Sequence, residues 1–540
     1  MDVSQLLTIA PAPAAVFSRV ATHRDKPRFQ VRDKAGAWQP VSWGQFAIQI
    51  RGVARWLIDQ DVAVGDRVAI FAANSVAWAS AALGAQTAGA VFVPIYPAST
   101  PDQVAYILGH AEIEYVFVAG KEPLSRLEKA LAQLATKPQI LDLDSCAWAT
   151  DATVSDPYSV QAAAARDTVT PAIVDARLAA LELDHPAEML YTSGTSGNPK
   201  GVPLSHRNVG SNGCDWLESN AALLEEGDRD LLWLPLSHIF GWGELCAGNV
   251  LAWETYLATP ADVLELLPMI APHVFMSVPA YWEKIARLVA AQTDTKAALK
   301  TVTGGNLRFC LSGGAGLKVE IKQQLHAHGM LIIEGYGLTE TSPTLTLNKP
   351  GSYRFDTVGK AFPSVELRLD DDGEILARGD NVFKGYFKDP EATKAAFTDD
   401  GWFRTGDVGR WTEDGFLQII DRKKDILVTA GGKNVPPANI EAKFVDDPVI
   451  ERLVVYGDAR SYLVAAIWTR PEVSAGERDQ LVAQRVEAIN AELARYESIK
   501  KFFIAEAPLS VEDGTLTSSL KLRRKAVYER LNARFEALYA

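Results

Sequence analysis

At 540 residues the chain exceeds one ordinary domain and suggests roughly two to four compact units. Apolar residues make up 48% and charged residues 22%, the balance of a globular enzyme, which excludes disorder of the whole chain. A formal charge of −13 argues against nucleic acid as a partner, because phosphate backbones need Lys and Arg clusters, but leaves room for a small anion held by local donors.

Cys146, Cys214, Cys246 and Cys310 are scattered and form no CxxC pair, so free thiols in a reducing compartment are expected rather than a zinc or redox site. The first residues show no basic region followed by a long apolar run. No uncharged apolar stretch reaches about eighteen residues, so a cytoplasmic chain without secretory signal or spanning helix is expected.

In chain order, Arg67–Ala72 suits a buried strand, Trp78–Ala88 a helix ending near Gly89, and Ala90–Ile95 a second strand. Pro101–His110 suits a helix with Thr100 as N-cap and proline at its first position. Tyr115–Ala119 is a third strand. This alternation predicts a parallel sheet with helices on both faces. Residues 151–176 are Ala-rich and weakly patterned, and are expected to form a mobile surface segment. The alternating rhythm resumes from Glu188 to about Glu340. From Thr357 the texture changes: Glu366–Leu369, Gly373–Leu376 and Phe416–Ile420 read as short antiparallel strands around DDDG and EDG turns. After Asp421 the chain reads as a small α+β unit, with strands at Leu453–Tyr456 and Tyr462–Trp468 and a helix over Arg478–Tyr496.

The strongest local signal is Tyr191-Thr192-Ser193-Gly194-Thr195-Ser196-Gly197-Asn198-Pro199-Lys200-Gly201. Small hydroxyl residues, glycines and one lysine in a compact loop can offer backbone N–H groups, hydroxyls and an ammonium to phosphate oxygens. It is not a Walker A loop, because Pro199 stands where the second glycine belongs and Gly201 follows the lysine. By composition alone it could be a surface turn.

The segment resembles the phosphate loop of the adenylate-forming superfamily, which includes acyl-CoA synthetases, luciferases and peptide-synthetase adenylation domains. Further segments follow in the family's order over nearly the whole chain, and their details are most similar to long-chain fatty acyl-CoA synthetases. The resemblance implies a large N-terminal α/β domain with a small antiparallel β subdomain (1–420), a hinge (421–425) and a small mobile α+β domain (426–540). It implies an acid–thiol ligase that uses ATP, Mg²⁺ and coenzyme A.

Residue by residue, the resemblance places His238 of LPLSHIFGW near the reacting carboxylate. Trp242 falls where some relatives carry a gating tryptophan, although a plain core aromatic fits equally well. Trp242, Gly243, Val278 and Pro279 would then line the acyl pocket. Gly313, Gly314 and Ala315 would wrap adenine, where glycines permit close backbone approach. In GYGLTE, Tyr336 would stack on adenine beside Gly337, Thr339 would bond the α-phosphate, and Glu340 would hold Mg²⁺, with Thr192 as a further candidate ligand. Asp407 would accept both ribose hydroxyls. Arg422 would contact ribose or phosphate, and Lys424 would be the pivot. Gly431, Gly432 and Lys433 would enter the thiol channel. Lys521 of LTSSLKLRR would be the catalytic lysine. Relatives often carry glycine before it, and Leu520 here keeps Lys525 as a fallback.

The apolar character of the expected pocket favours a medium- to long-chain fatty acid over an amino acid. An aryl acid, or an amine or carrier-protein thiol as acceptor, is the alternative. A P-loop ATPase or kinase, a non-catalytic lipid-binding module and a serine hydrolase are rivals from other classes. The first lacks its Walker A loop, the second would need degraded chemistry positions, and the third lacks a GxSxG elbow. A long acyl substrate would bring the chain against membranes peripherally. Whether it is a monomer or a homodimer is left open.

Overall fold

The computed structural model describes residues 1–143, 160–192, 198–292, 294–445, 447–474, 476–517 and 521–540. Two large sheets, each mostly parallel, form the N-terminal part. The first has six strands in the order Gln139–Asp142, Tyr115–Val118, Arg67–Phe71, Val91–Ile95, Pro186–Thr192 and Lys200–Ser205. Its pairs are parallel except the last, an antiparallel hairpin that brings Thr192 opposite Lys200. The strands read as continuous apolar runs because helices cover both faces. The helix Pro101–His110 starts at Thr100, whose hydroxyl accepts from the Gln103 N–H while the Gln103 side chain accepts from the Thr100 N–H.

The second sheet has nine strands. Its parallel centre runs through Ile332–Gly337, Phe309–Ser312, Val274–Ser277, Arg229–Leu232, Glu254–Leu257 and Pro27–Arg32, with antiparallel strands at both edges. A four-stranded antiparallel sheet follows: Val365–Leu369, Glu374–Gly379, Phe403–Trp411 and Leu417–Arg422. From Leu427 onward the side chains pack into two cores of their own, on either side of the three-stranded sheet Ile450–Tyr456, Leu463–Thr469 and Ile499–Ile504.

Two readings are corrected. Residues 151–159 lie outside the described residues, but most of the remaining supposed mobile segment is helical, Val160–Val169 and Ala172–Ala179. These helices are held by charge. Asp167, 4% exposed, pairs with Arg51 at 2.5 Å, and Arg166 pairs with Asp59 at 2.7 Å. The C-terminal helix is Arg478–Asn490, not Arg478–Tyr496. Asn490 ends it by exchanging two side-chain hydrogen bonds with the backbone of Ile499, each 2.8 Å, which starts the next strand. Asp407 stands within the long strand Phe403–Trp411.

Candidate active site

The C-terminal ends of the parallel strands, residues 422–424 and Lys521 of the small C-terminal unit line one cavity of about 900 Å³. This is the place where open α/β sheets bind ligands. One wall is the hairpin that carries Thr192 and Lys200, both facing the cavity. Ser193, Gly194, Thr195, Ser196 and Gly197 of the intervening loop lie outside the described residues.

A second wall is the turn after the strand Phe309–Ser312, where Gly313, Gly314 and Ala315 line the cavity. The turn is held from below. Glu334, 4% exposed, accepts from the Leu317 N–H at 2.8 Å and pairs with the buried Lys322. Gly314 has φ +82°, which disfavours any side chain there.

Next comes Tyr336, whose hydroxyl donates to Asp407 Oδ2 at 2.6 Å. Arg422 Nε meets the other oxygen, Oδ1, at 2.8 Å. Asp407 and Arg422 are cross-strand neighbours, so the sheet register sets this pair. Burial first, then Asp407, holds the Tyr336 phenol well above its ordinary value, so tyrosine remains the donor. Asp407 is pushed upward by burial, opposed chiefly by Arg422.

Gly337 leads into the short turn Thr339–Thr341. A Cβ at Gly337 would lie 1.7 Å from the Pro343 carbonyl oxygen, so only glycine lets these two backbone stretches meet. The turn presents Thr339 and Glu340 to the cavity. Glu340 Oε1 accepts from the Tyr386 hydroxyl at 3.0 Å, and the Lys200 ammonium lies 4.7 Å from the Tyr386 ring centroid. Sequence reasoning missed Tyr386. It stands in KGYFKD, a charged stretch with no periodicity to mark it.

The remaining side comes from the C-terminal unit. Two hydrogen bonds join Lys521 and Thr517, with Lys521 N–H donating to Thr517 Oγ1 at 3.0 Å and Thr517 N–H to the Lys521 carbonyl at 2.8 Å. Lys521 faces the cavity. The residue keeps exposed surface, yet protein surrounds most of its side chain. Desolvation first, and then the charge of Arg422, lowers its ammonium below the ordinary lysine value, with Asp407 acting the other way. His238 caps the helix Ile239–Val250, its Nδ1 accepting from the Phe240 N–H at 3.2 Å. Burial first, and then Lys521, lowers His238 to about 4, so the imidazole is neutral at physiological pH.

Lys424 also borders the cavity. Lys423 beside it is tied to Asp372 at 2.5 Å and Glu374 at 2.9 Å, which anchors the chain just before the C-terminal cores begin. Lys525 pairs with Glu529 at 3.8 Å and does not reach the cavity.

Other expected residues are not brought to it. Trp242 is 1% exposed and packs inward, with ring centroids 4.7 Å from Phe92 and 6.1 Å from Trp78. Gly243, Val278 and Pro279 also lie off the cavity surface, whose apolar lining includes Pro94, Ile107, Leu190, Ile239 and Phe240. Gly431, Gly432 and Lys433 form an exposed turn closed by the Thr429 N–H to Lys433 carbonyl bond, 2.9 Å, outside the cavity.

Residues 16–387 match the AMP-binding enzyme family, and residues 424–540 match the AMP-binding enzyme C-terminal domain. A long-chain-fatty-acid–CoA ligase, FadD15 of Mycobacterium bovis, is 34% identical, with 96% of this chain and 95% of the relative covered. Fatty acyl-CoA synthetase A of Dictyostelium discoideum is 27% identical over 94% and 87% of the two chains. Among solved structures, ATP-bound MatB from Rhodopseudomonas palustris is 25% identical with a TM-score of 0.75, covering 98% of this chain and 100% of that one. The anthranilate CoA ligase AuaEII with anthranoyl-AMP, 21% identical, gives a TM-score of 0.77 over 98% and 99% and attests the fold. From a cavity assembled by motifs spread over most of the chain, and from likeness that spans nearly all of it, the protein belongs to the AMP-binding enzyme family.

Proposed function

We infer that this protein is an ATP-dependent fatty acid–CoA ligase that makes acyl-AMP and then acyl-CoA. The observation that carries this reading is Lys521. The C-terminal unit presents it to the same cavity as Lys200, Glu340 and the Tyr336–Asp407–Arg422 cluster.

A carboxylate is a poor acyl donor because its leaving group would be oxide. When the acid's oxygen attacks the α-phosphorus of ATP, the P–O bond to pyrophosphate breaks and a mixed anhydride forms. Two anions must meet, so positive charge and aimed donors are needed. Lys200 and Thr192, which both line the cavity, face the phosphates. Lys521 bridges the acid's carboxylate and the α-phosphate and aligns attack. Asp407 accepts from the ribose hydroxyls, Tyr336 lies against adenine with Gly313–Ala315 on its other side, and Arg422 holds ribose or phosphate. Thr339 bonds the α-phosphate, and neutral His238 lies beside the acid's carbonyl.

Magnesium fits this donor set. One oxygen of Glu340 is taken by Tyr386, and the other has no hydrogen-bond partner among the described residues, as a hard-cation ligand requires. When bound, the ion neutralises phosphate charge.

In the second step the sulfur of CoA attacks the acyl carbonyl and AMP leaves. Lys521 is then in the way. The unit from 426 onward turns about 421–425, with Lys424 as pivot, and brings Gly431–Lys433 towards the thiol. The apolar lining by Pro94, Ile107, Leu190, Ile239 and Phe240 supports a fatty acid as the acid. The names of the relatives point the same way.

The test is product analysis by mass spectrometry, with ATP, Mg²⁺, CoA and a mixture of straight-chain and aryl acids. AMP with straight-chain acyl-CoA is the expected result. Aryl-CoA alone would move the substrate class, acyl-AMP without a thioester would move the acceptor, and ADP would overturn the reading.

A further inference from the structure

We propose that Tyr386 is a positioning residue that presets both Glu340 and Lys200 for the magnesium-bound phosphates of ATP. The inference deepens the ligase reading and rests on it for the identity of the ligand.

Tyr386 stands on a strap tied at both ends to the elements it serves. At one end, Asn381 Nδ2 donates to the carbonyls of Thr341 at 2.9 Å and Thr344 at 3.1 Å, and the Phe383 N–H donates to the Glu340 carbonyl at 2.9 Å. At the other, the Phe387 N–H donates to the carbonyl of Gly201, the neighbour of Lys200, at 2.9 Å. Between them the Tyr386 N–H is fixed by Thr393 Oγ1 at 2.9 Å, and the ring edge packs on Phe383 with centroids 4.9 Å apart. Lys388 continues the strap to Glu112 at 2.7 Å.

The side chain therefore has little freedom, and it uses both of its chemical faces. Its hydroxyl donates to Glu340 Oε1 at 3.0 Å, and its π-face carries the Lys200 ammonium at 4.7 Å. A carboxylate with one oxygen held cannot swing, and its other oxygen is presented in one direction, which is how outer partners tune a metal ligand. A lysine resting on an aromatic face gives up less rotamer freedom when a phosphate arrives.

The two faces can be separated. Tyr386→Phe keeps the ring and removes only the hydroxyl. Tyr386→Leu removes both. Each full-length protein is titrated calorimetrically with ATP, once with Mg²⁺ and once with EDTA, without acid or CoA. Wild type is expected to bind ATP more tightly with Mg²⁺. Tyr386→Phe loses about 10-fold of that gain and binds normally in EDTA. Tyr386→Leu also binds about 5-fold more weakly in EDTA, because Lys200 has lost its platform. Thiolation of preformed acyl-AMP, which uses no bound pyrophosphate, stays at the wild-type rate in both.

The proposal is overturned if Tyr386→Phe keeps the full Mg²⁺ gain, if wild type shows none, or if thiolation falls as far as ATP binding, the mark of a packing defect. Failure of the ligase reading looks different: no acid gives acyl-AMP, while the Mg²⁺-dependent ATP binding still follows the pattern above.

Discussion

Lys521 is the side chain whose removal should divide the two half-reactions most sharply. Lys521→Ala is expected to cut adenylation by about 10²–10³-fold, as the loss of one aimed donor does, and to leave thiolation of preformed acyl-AMP near wild type. Equal loss of both steps would remove it from that role. Its charge also predicts a pH dependence. Desolvation and Arg422 favour the neutral amine, so the proton leaves below the ordinary lysine value, and kcat/KM for ATP in adenylation should fall on an alkaline limb lying below that value. Lys521→Arg, which stays charged, should lose the limb. An unchanged limb would assign it to another group.

His206 gives a stability prediction of the opposite sense. It is 4% exposed, and burial lowers it from 6.5 to about 4. As pH falls through 6.5 the unfolded chain takes up its proton first. The stability His206 contributes is thus complete above about pH 6.5 and is lost progressively towards pH 4, roughly 3 kcal/mol in all. Denaturant titrations between pH 7 and 4 should show a shallower loss in His206→Gln than in wild type. Parallel curves would contradict the assignment.

At the scale of elements, the turn that presents Thr339 and Glu340 depends on a backbone contact. Gly337→Ala puts a methyl 1.7 Å from the Pro343 carbonyl oxygen, a position no side-chain rotamer relieves. The backbone must move, at a cost of about 3 kcal/mol, and Thr339 and Glu340 move with it. A lowered melting temperature together with loss of acyl-AMP formation is expected, and wild-type adenylation in a folded Gly337→Ala protein would show that the turn tolerates displacement. Much at this scale was legible in the sequence. Thr100 and Pro101 announced the start of their helix because capping is local chemistry. The helix at Arg478 was read too long because its charged residues suit a helix as far as Tyr496, whereas Asn490 ends it through a bond to Ile499 that no local pattern reveals. The helices at Val160 and Ala172 were read as a mobile segment because their Ala-rich sequence has little amphipathic pattern. Their partners Arg51 and Asp59 lie more than a hundred residues away.

At the scale of the whole molecule, separate cores begin at Leu427, while Lys423 remains tied to the preceding sheet. Lys521 at the cavity and Gly431–Lys433 outside it suit the adenylation step. Lys424→Pro restricts the backbone of both Lys423 and residue 424. It should slow thiolation by about 10-fold or more while adenylation changes little, measured by rapid quench of each half-reaction. Equal rates in both steps would place the pivot elsewhere.

What the sequence determined by itself was local or ordered along the chain: which segments are buried strands, where a capped helix begins, that the lysine loop is no Walker A, and the succession of motifs that marks the family. Tertiary structure alone decided which of these residues meet. Tyr336 and Asp407 are 71 positions apart and joined by one hydrogen bond, and Asp407 faces Arg422 through strand register. Trp242, which the sequence left as either an acyl-pocket gate or a core aromatic, packs against Phe92 and Trp78 because its helix presents it to the core. Tyr386 gains its place only because a strap joins the Glu340 turn to Gly201. Propensity and capping act over a few residues and can be read from them, whereas register, packing and long-range hydrogen bonds depend on where distant strands come to rest.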